Sequence, residues 1–142
     1  MINLSIELML RILLSAVLGG LVGFEREKNK KPAGLRTNML VCIGSCLFTI
    51  ISVQTFSMDP ARVAAGIVTG IGFLGAGSIL GGKDGRKHVE GLTTAATLWV
   101  MAAIGMAVGV GEYMLAVVAS FVVFAILVSK GLVKHYYNRY VK

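Results

Sequence analysis

The stretch Leu92-Thr93-Thr94-Ala95-Ala96-Thr97-Leu98-Trp99-Val100-Met101-Ala102-Ala103-Ile104-Gly105-Met106-Ala107-Val108-Gly109-Val110 contains no charged residue. It is too long for a strand and matches the roughly 20 apolar residues needed to cross a hydrocarbon core of about 30 Å. Backbone groups in lipid must be paired within their own segment, so the run predicts a membrane-spanning helix. Outward from it lie four more runs of the same kind, at 6–24, 40–56, 63–80 and 113–129. Composition agrees. The 142 residues are 56% hydrophobic and only 15% charged, with mean hydropathy +0.78. A soluble domain is nearer half apolar and a quarter charged. This balance excludes a disordered chain, a disulfide scaffold and most soluble enzymes. The expectation is one all-α, polytopic membrane domain over residues 1–142, with about five transmembrane helices and glycine-rich packing.

Charge sets the orientation. Arg26, Lys28, Lys30, Lys31 and Arg36 lie in the first loop, and Lys83, Arg86 and Lys87 in the third. Lys130, Lys134, Arg139 and Lys142 lie in the tail, and only Arg11 and Arg62 fall on the other side. The loops are short, so the positive-inside rule applies and predicts the N-terminus outside and the C-terminus inside. The net charge of +7 would suggest nucleic acid in a soluble chain. Here the bases cluster between apolar runs, so the partners expected are the bilayer and other membrane helices, not nucleic acid. The first run contains Glu7 and Arg11 and is followed by four others, so a permanent helix is expected, not a cleaved signal. Glu7 and Arg11, four apart, read as an interfacial pair. The tail His135-Tyr136-Tyr137-Asn138-Arg139-Tyr140 reads as an aromatic and basic belt for anionic lipid.

Of the 18 glycines, several recur four apart: Gly19 and Gly23, Gly66 and Gly70, Gly105 and Gly109. Small residues at this spacing let helix backbones approach closely and favour a homo-oligomer, such as a dimer, through a GxxxG-type face. The third run is the densest, with Gly66, Gly70, Gly72, Gly75 and Gly77. Two expectations stand for it: a helix packed tightly on several sides, or one locally broken to bare its carbonyls. Gly70-Ile71-Gly72-Phe73-Leu74-Gly75 imitates a dinucleotide fingerprint, but no strand precedes it. Gly77 to Lys83 imitates a phosphate loop, but Asp84 stands where Ser or Thr would hold magnesium.

Polar residues gather where the runs begin and end on the basic side. They include Glu25-Arg26-Glu27, Arg36-Thr37-Asn38 and Glu90-Gly91-Leu92-Thr93-Thr94. In a bundle these ends converge, and Arg36 needs a carboxylate, with Glu25 or Glu90 available. The candidate site is therefore Glu25, Arg26, Arg36, Thr37, Asn38, Glu90, Thr93 and Thr94. Two readings stay open for it: an ion-pair network fixing helix ends, or a cytoplasm-facing binding site. No acid falls at the middle of any run, which argues against a proton pump or a cation carrier with carboxylates in its path. No nucleophile has a base at its own depth, Ser45 and Thr49 included, so no catalytic residue and no enzyme activity is expected. No cofactor is expected, and Mg2+ is the one metal ion worth testing. Cys42 and Cys46 share a helix face and read as small packing residues, and Trp99 is expected to pack between helices.

These residues resemble the membrane domain of the MgtC/SapB family. The matching stretches are Gly23-Phe24-Glu25-Arg26-Glu27, Ala33-Gly34-Leu35-Arg36-Thr37-Asn38, Gly70 through Gly77, and Gly91-Leu92-Thr93-Thr94-Ala95-Ala96-Thr97-Leu98-Trp99. Their order and spacing match as well, over roughly residues 10–128. The resemblance implies a bacterial inner-membrane protein linked to growth in low magnesium. In virulence-type members it implies a regulator that restrains the proton-driven ATP synthase. Those members carry Asn where this chain has Thr93 and Cys where it has Val100, so the chain looks like the broader branch. Many members also carry a soluble ACT-like C-terminal domain, which is not expected here.

Overall fold

Lipid removes the usual reason to hide a leucine, because acyl chains are as apolar as any side chain. What gathers inside such a bundle is whatever packs closely or needs a polar partner. The computed structural model, which describes residues 2–55, 59–80 and 91–140, follows this rule. It forms five helices: α1 (Ile2–Lys28), α2 (Leu35–Thr55), α3 (Pro60–Leu80), α4 (Leu92–Val110) and α5 (Tyr113–Tyr140). Ser15, Asn38, Cys42, Cys46 and Ser120 are fully buried, whereas Phe73 is 83% exposed, Met114 77% and Leu40 68%. Trp99 is 55% exposed. The expectation that it packs between helices is therefore corrected: acyl chains accommodate the apolar body of an outward indole as well as side chains do.

Four helices, α1 to α4, are long and apolar enough to cross a bilayer. The apolar part of α5, Tyr113–Ser129, is slightly shorter, about 25 Å at 1.5 Å per residue. The chain is an all-α, multi-pass membrane protein. The third run is one continuous helix, so the locally broken alternative is set aside.

Close packing is built around α2 and α4. A Cβ on Gly19 would press on the backbone of Asn38 and Met39, and one on Gly23 on that of Leu35, so α1 lies directly on α2. A Cβ on Gly105 would fall on the Cys42 carbonyl oxygen, and one on Gly109 on Cys46 and Thr49. In both cases the smaller residue number pairs with the smaller, so α2 and α4 run parallel while α1 and α2 form an antiparallel hairpin. Helix α4 touches all four others, and α3 leans chiefly on α4 and only lightly on α2. Deep hydroxyls are satisfied locally: Thr49 donates to the Ser45 carbonyl, Thr97 to Thr93 and Ser120 to Ala116.

The turns are sharp. α1 ends in a Schellman motif, in which the Lys31 N–H donates to the Arg26 carbonyl and the Lys30 N–H to Glu27, with Lys30 at φ 52°. α4 ends the same way at Gly111, φ 94°, with Glu112 and Gly111 donating back to Ala107 and Val108. At the other end of α4, Gly91 (φ 95°) passes so close to the Ser78 carbonyl that a side chain has no room.

Candidate functional site at the basic end of the bundle

The basic end is built on the α1–α2 hairpin. Glu25 and Arg26 sit in the last turns of α1, 7% and 3% exposed. A buried charge must find a partner nearby, since leaving it bare costs several kcal/mol. Arg26 Nε donates to Glu25 Oε2 at 2.5 Å, and Asn29 Nδ2 donates to Glu25 Oε1 at 2.7 Å. Both carboxylate oxygens are thus engaged within one short segment. Glu27 turns the other way, and its Oε2 accepts the Leu35 N–H at 2.7 Å, capping the first turn of α2 with a negative charge.

Asn38 is fully buried one turn into α2. Its Nδ2 donates to the Ala33 and Gly34 carbonyls, at 3.0 and 2.8 Å, and so pins the loop to the helix it precedes. Its Oδ1 is buried with no hydrogen-bond partner among the described residues. Swapping the two amide atoms would place oxygen against two carbonyls, so the orientation is fixed by its donors.

The remaining candidates divide. Thr94 is 2% exposed. Thr93 and Arg36 are exposed, and Thr37 is half-buried. Arg36 makes no ion pair among the described residues, and Glu25 is taken by Arg26, so the expected Glu25–Arg36 pair is not formed. Glu90 lies outside the described residues, as do Lys83, Arg86 and Lys87. Side chains beyond Ser129, including the tail belt, lie outside them too. The structure therefore brings Glu25, Arg26 and Asn38 into one buried hairpin end and leaves Arg36 and Thr93 at the surface. Among the described residues no group of three or more His, Cys, Asp or Glu is placed to hold a metal ion.

The opposite end holds a cluster that sequence reasoning found only in half. The expected Glu7–Arg11 pair is present, with Arg11 Nη2 on Glu7 Oε1 at 2.5 Å. Arg11 Nη1 also donates to the Gly109 carbonyl at 2.6 Å, and Nε to the Tyr113 hydroxyl at 3.0 Å. Tyr113 in turn donates to Glu7. A cation thus sits on the carbonyl end of α4 while its helix of origin is α1. The sequence signal was Gly111, two residues before Tyr113, which stops α4 and turns the tyrosine back.

The glycines divide as well. Gly19, Gly23, Gly105 and Gly109 pack against α2 within the chain. Gly75 touches Ala95 of α4, while Gly66, Gly70, Gly72 and Gly77 have no neighbour within 4 Å among the described residues. Helix α3 is accordingly not packed on several sides, and only 11% of its apolar stretch is buried.

The sequence of residues 12–136 matches one family model, that of the MgtC family. The chain belongs to the MgtC family. Among curated MgtC-family relatives, "Putative magnesium transporter YhiD" of Escherichia coli K12 is 42% identical over 133 residues, 87% of this chain and 60% of the relative. "Protein MgtC" of Salmonella typhimurium is 46% identical over 114 residues, 80% of this chain and 48% of the relative. A Haemophilus influenzae protein is 38% identical over 139 residues, 91% of this chain and 58% of its own length. The chain spans about half to three-fifths of the length of these relatives. Likeness to both YhiD and MgtC places it in the broad branch of the family. No solved structure matches the chain.

Proposed function

We propose that this MgtC-family chain is a non-enzymatic regulator in a bacterial inner membrane, linked to magnesium or other ion homeostasis and acting through contacts with other membrane helices. In this reading it is a homo-oligomer with its N-terminus outside. The observation that carries the reading is the outward surface of α3. Ala65, Thr69, Gly72 and Ala76 are all exposed there, and Gly72 has open space where a Cβ would stand. A small-residue face lets a second helix backbone approach closely. The engagement of both Glu25 oxygens supports the same reading, because a hydrated cation would find no free carboxylate there. The magnesium link rests on the Escherichia coli relative, "Putative magnesium transporter YhiD".

That name also favours a second reading, a homo-oligomeric transporter of magnesium or another ion. Two measurements separate them. Purified protein in liposomes should show no magnesium flux that a Glu25→Gln/Glu90→Gln double mutant loses; such a flux would establish the transporter. Gly72→Leu should leave the fold intact and abolish cross-linking to membrane partners or to a second copy, and unchanged cross-linking would sink the regulatory reading.

A further inference from the structure

Between α2 and α3 lies an open groove of about 670 Å³. Its walls are aliphatic and aromatic, among them Leu40, Phe48, Ile67 and Leu74, and its floor is widened by Gly44, Gly66 and Gly70. Among the described residues none of these three glycines has a neighbour within 4 Å of where its Cβ would stand. Along α2 the groove runs from Thr37 to Phe48, which at 1.5 Å per residue is about 16 Å. Half of a 30 Å hydrocarbon core is about 15 Å, so the groove has the length of one leaflet.

Its two ends differ in chemistry. Thr37 lines the end nearest the α1–α2 loop. Arg36 stands one turn before the groove residue Leu40, so the two share a helix face. A basic side chain there leans back toward the start of the helix, out to headgroup depth. Arg36 is exposed and unpaired among the described residues, with Lys28 at the end of α1 and Lys30 in the α1–α2 loop also exposed. Among the described residues the neighbouring acids are already used: Glu25 by Arg26 and Asn29, Glu27 by the Leu35 N–H.

We propose that this groove holds one anionic phospholipid, an acyl chain lying along Gly44, Gly66 and Gly70 and its phosphate on Arg36 and Thr37. A single molecule then matches both halves of the site, a leaflet-long apolar slot and, at its mouth, a cation with no ion pair among the described residues. The apolar span of a second helix would fill the slot without bringing a phosphate to Arg36.

The test is native mass spectrometry of the full chain in mild detergent, titrated with phosphatidylglycerol and with phosphatidylcholine of identical chains. The wild type should retain one phosphatidylglycerol in preference to phosphatidylcholine. Arg36→Gln should reduce that preference by about fivefold, the share of one basic side chain at a headgroup, while phosphatidylcholine retention stays put. Gly66→Leu and, separately, Gly70→Leu should fill the slot and lose both lipids, with unchanged helical circular dichroism. Equal retention of the two lipids by the wild type would overturn the proposal. So would glycine variants that keep the lipid, or that turn an oligomer into a monomer without touching lipid retention, which would make the occupant a second copy.

Discussion

A methyl group at Gly105 would fall on the carbonyl oxygen of Cys42, whereas at Gly70 it would meet nothing among the described residues. The two substitutions should therefore part company. Gly105→Ala should cost about 1–3 kcal/mol through overpacking against rigid backbone. Gly70→Ala should be neutral or gain up to about 1 kcal/mol, because alanine is the better helix former. Thermal unfolding in one detergent compares them, and equal effects would refute the packing assignment. Glu25 and Arg26 offer a second residue-level test. Arg26→Leu alone strands a buried carboxylate and should cost about 3–5 kcal/mol, while Arg26→Leu with Glu25→Leu should recover much of that loss. A double variant as unstable as the sum of its singles would mean that the pair does not act as a unit. The sequence marked both residues but offered Glu25, beside Glu90, as a partner for Arg36. Burial decided otherwise, because a guanidinium shut off from water takes the nearest carboxylate, and that one is next to it in the chain.

Among the elements, the joint between α1, α4 and α5 is held by one guanidinium shared among Glu7, Gly109 and Tyr113. Tyr113→Phe removes one acceptor and one donor from that cluster. It should cost about 1 kcal/mol and speed hydrogen exchange in the last turn of α4 while leaving α3 unchanged. Equal acceleration in α3 would show that the cluster does not act locally. The helices themselves were legible from apolar length, since lipid leaves the backbone no other form. Which glycine pairs pack inside was not. Gly66/Gly70 and Gly105/Gly109 have the same spacing, and only the rotation of each helix toward α2 tells an internal contact from an open face. Trp99 misled for a related reason: outside water, hydrophobicity no longer sorts inside from outside.

For the whole molecule, the charge asymmetry makes a topological prediction. A cysteine placed at Lys30, on a background with Cys42 and Cys46 replaced by Ala, should react with a membrane-impermeant reagent only from the cytoplasmic side. One placed at Glu112 should react only from outside. The reverse pattern would invert the proposed orientation without changing the fold. The family and the bundle were readable because both depend on long stretches in fixed order. The site was readable only as a region, since it depends on which of several neighbouring charges becomes buried.

The central place of α4 also has a meaning in time. The chain is made from its N-terminus, so the α1–α2 hairpin can close while α3 and α4 are still unmade. When α3 arrives it finds little to rest on, because its main neighbour is the helix that follows it. It must wait in the bilayer beside an unfinished partner until α4 slides in parallel to α2 and gives it a wall. A chain truncated between Leu80 and Leu92 should therefore keep the α1–α2 contact and leave α3 without its main neighbour.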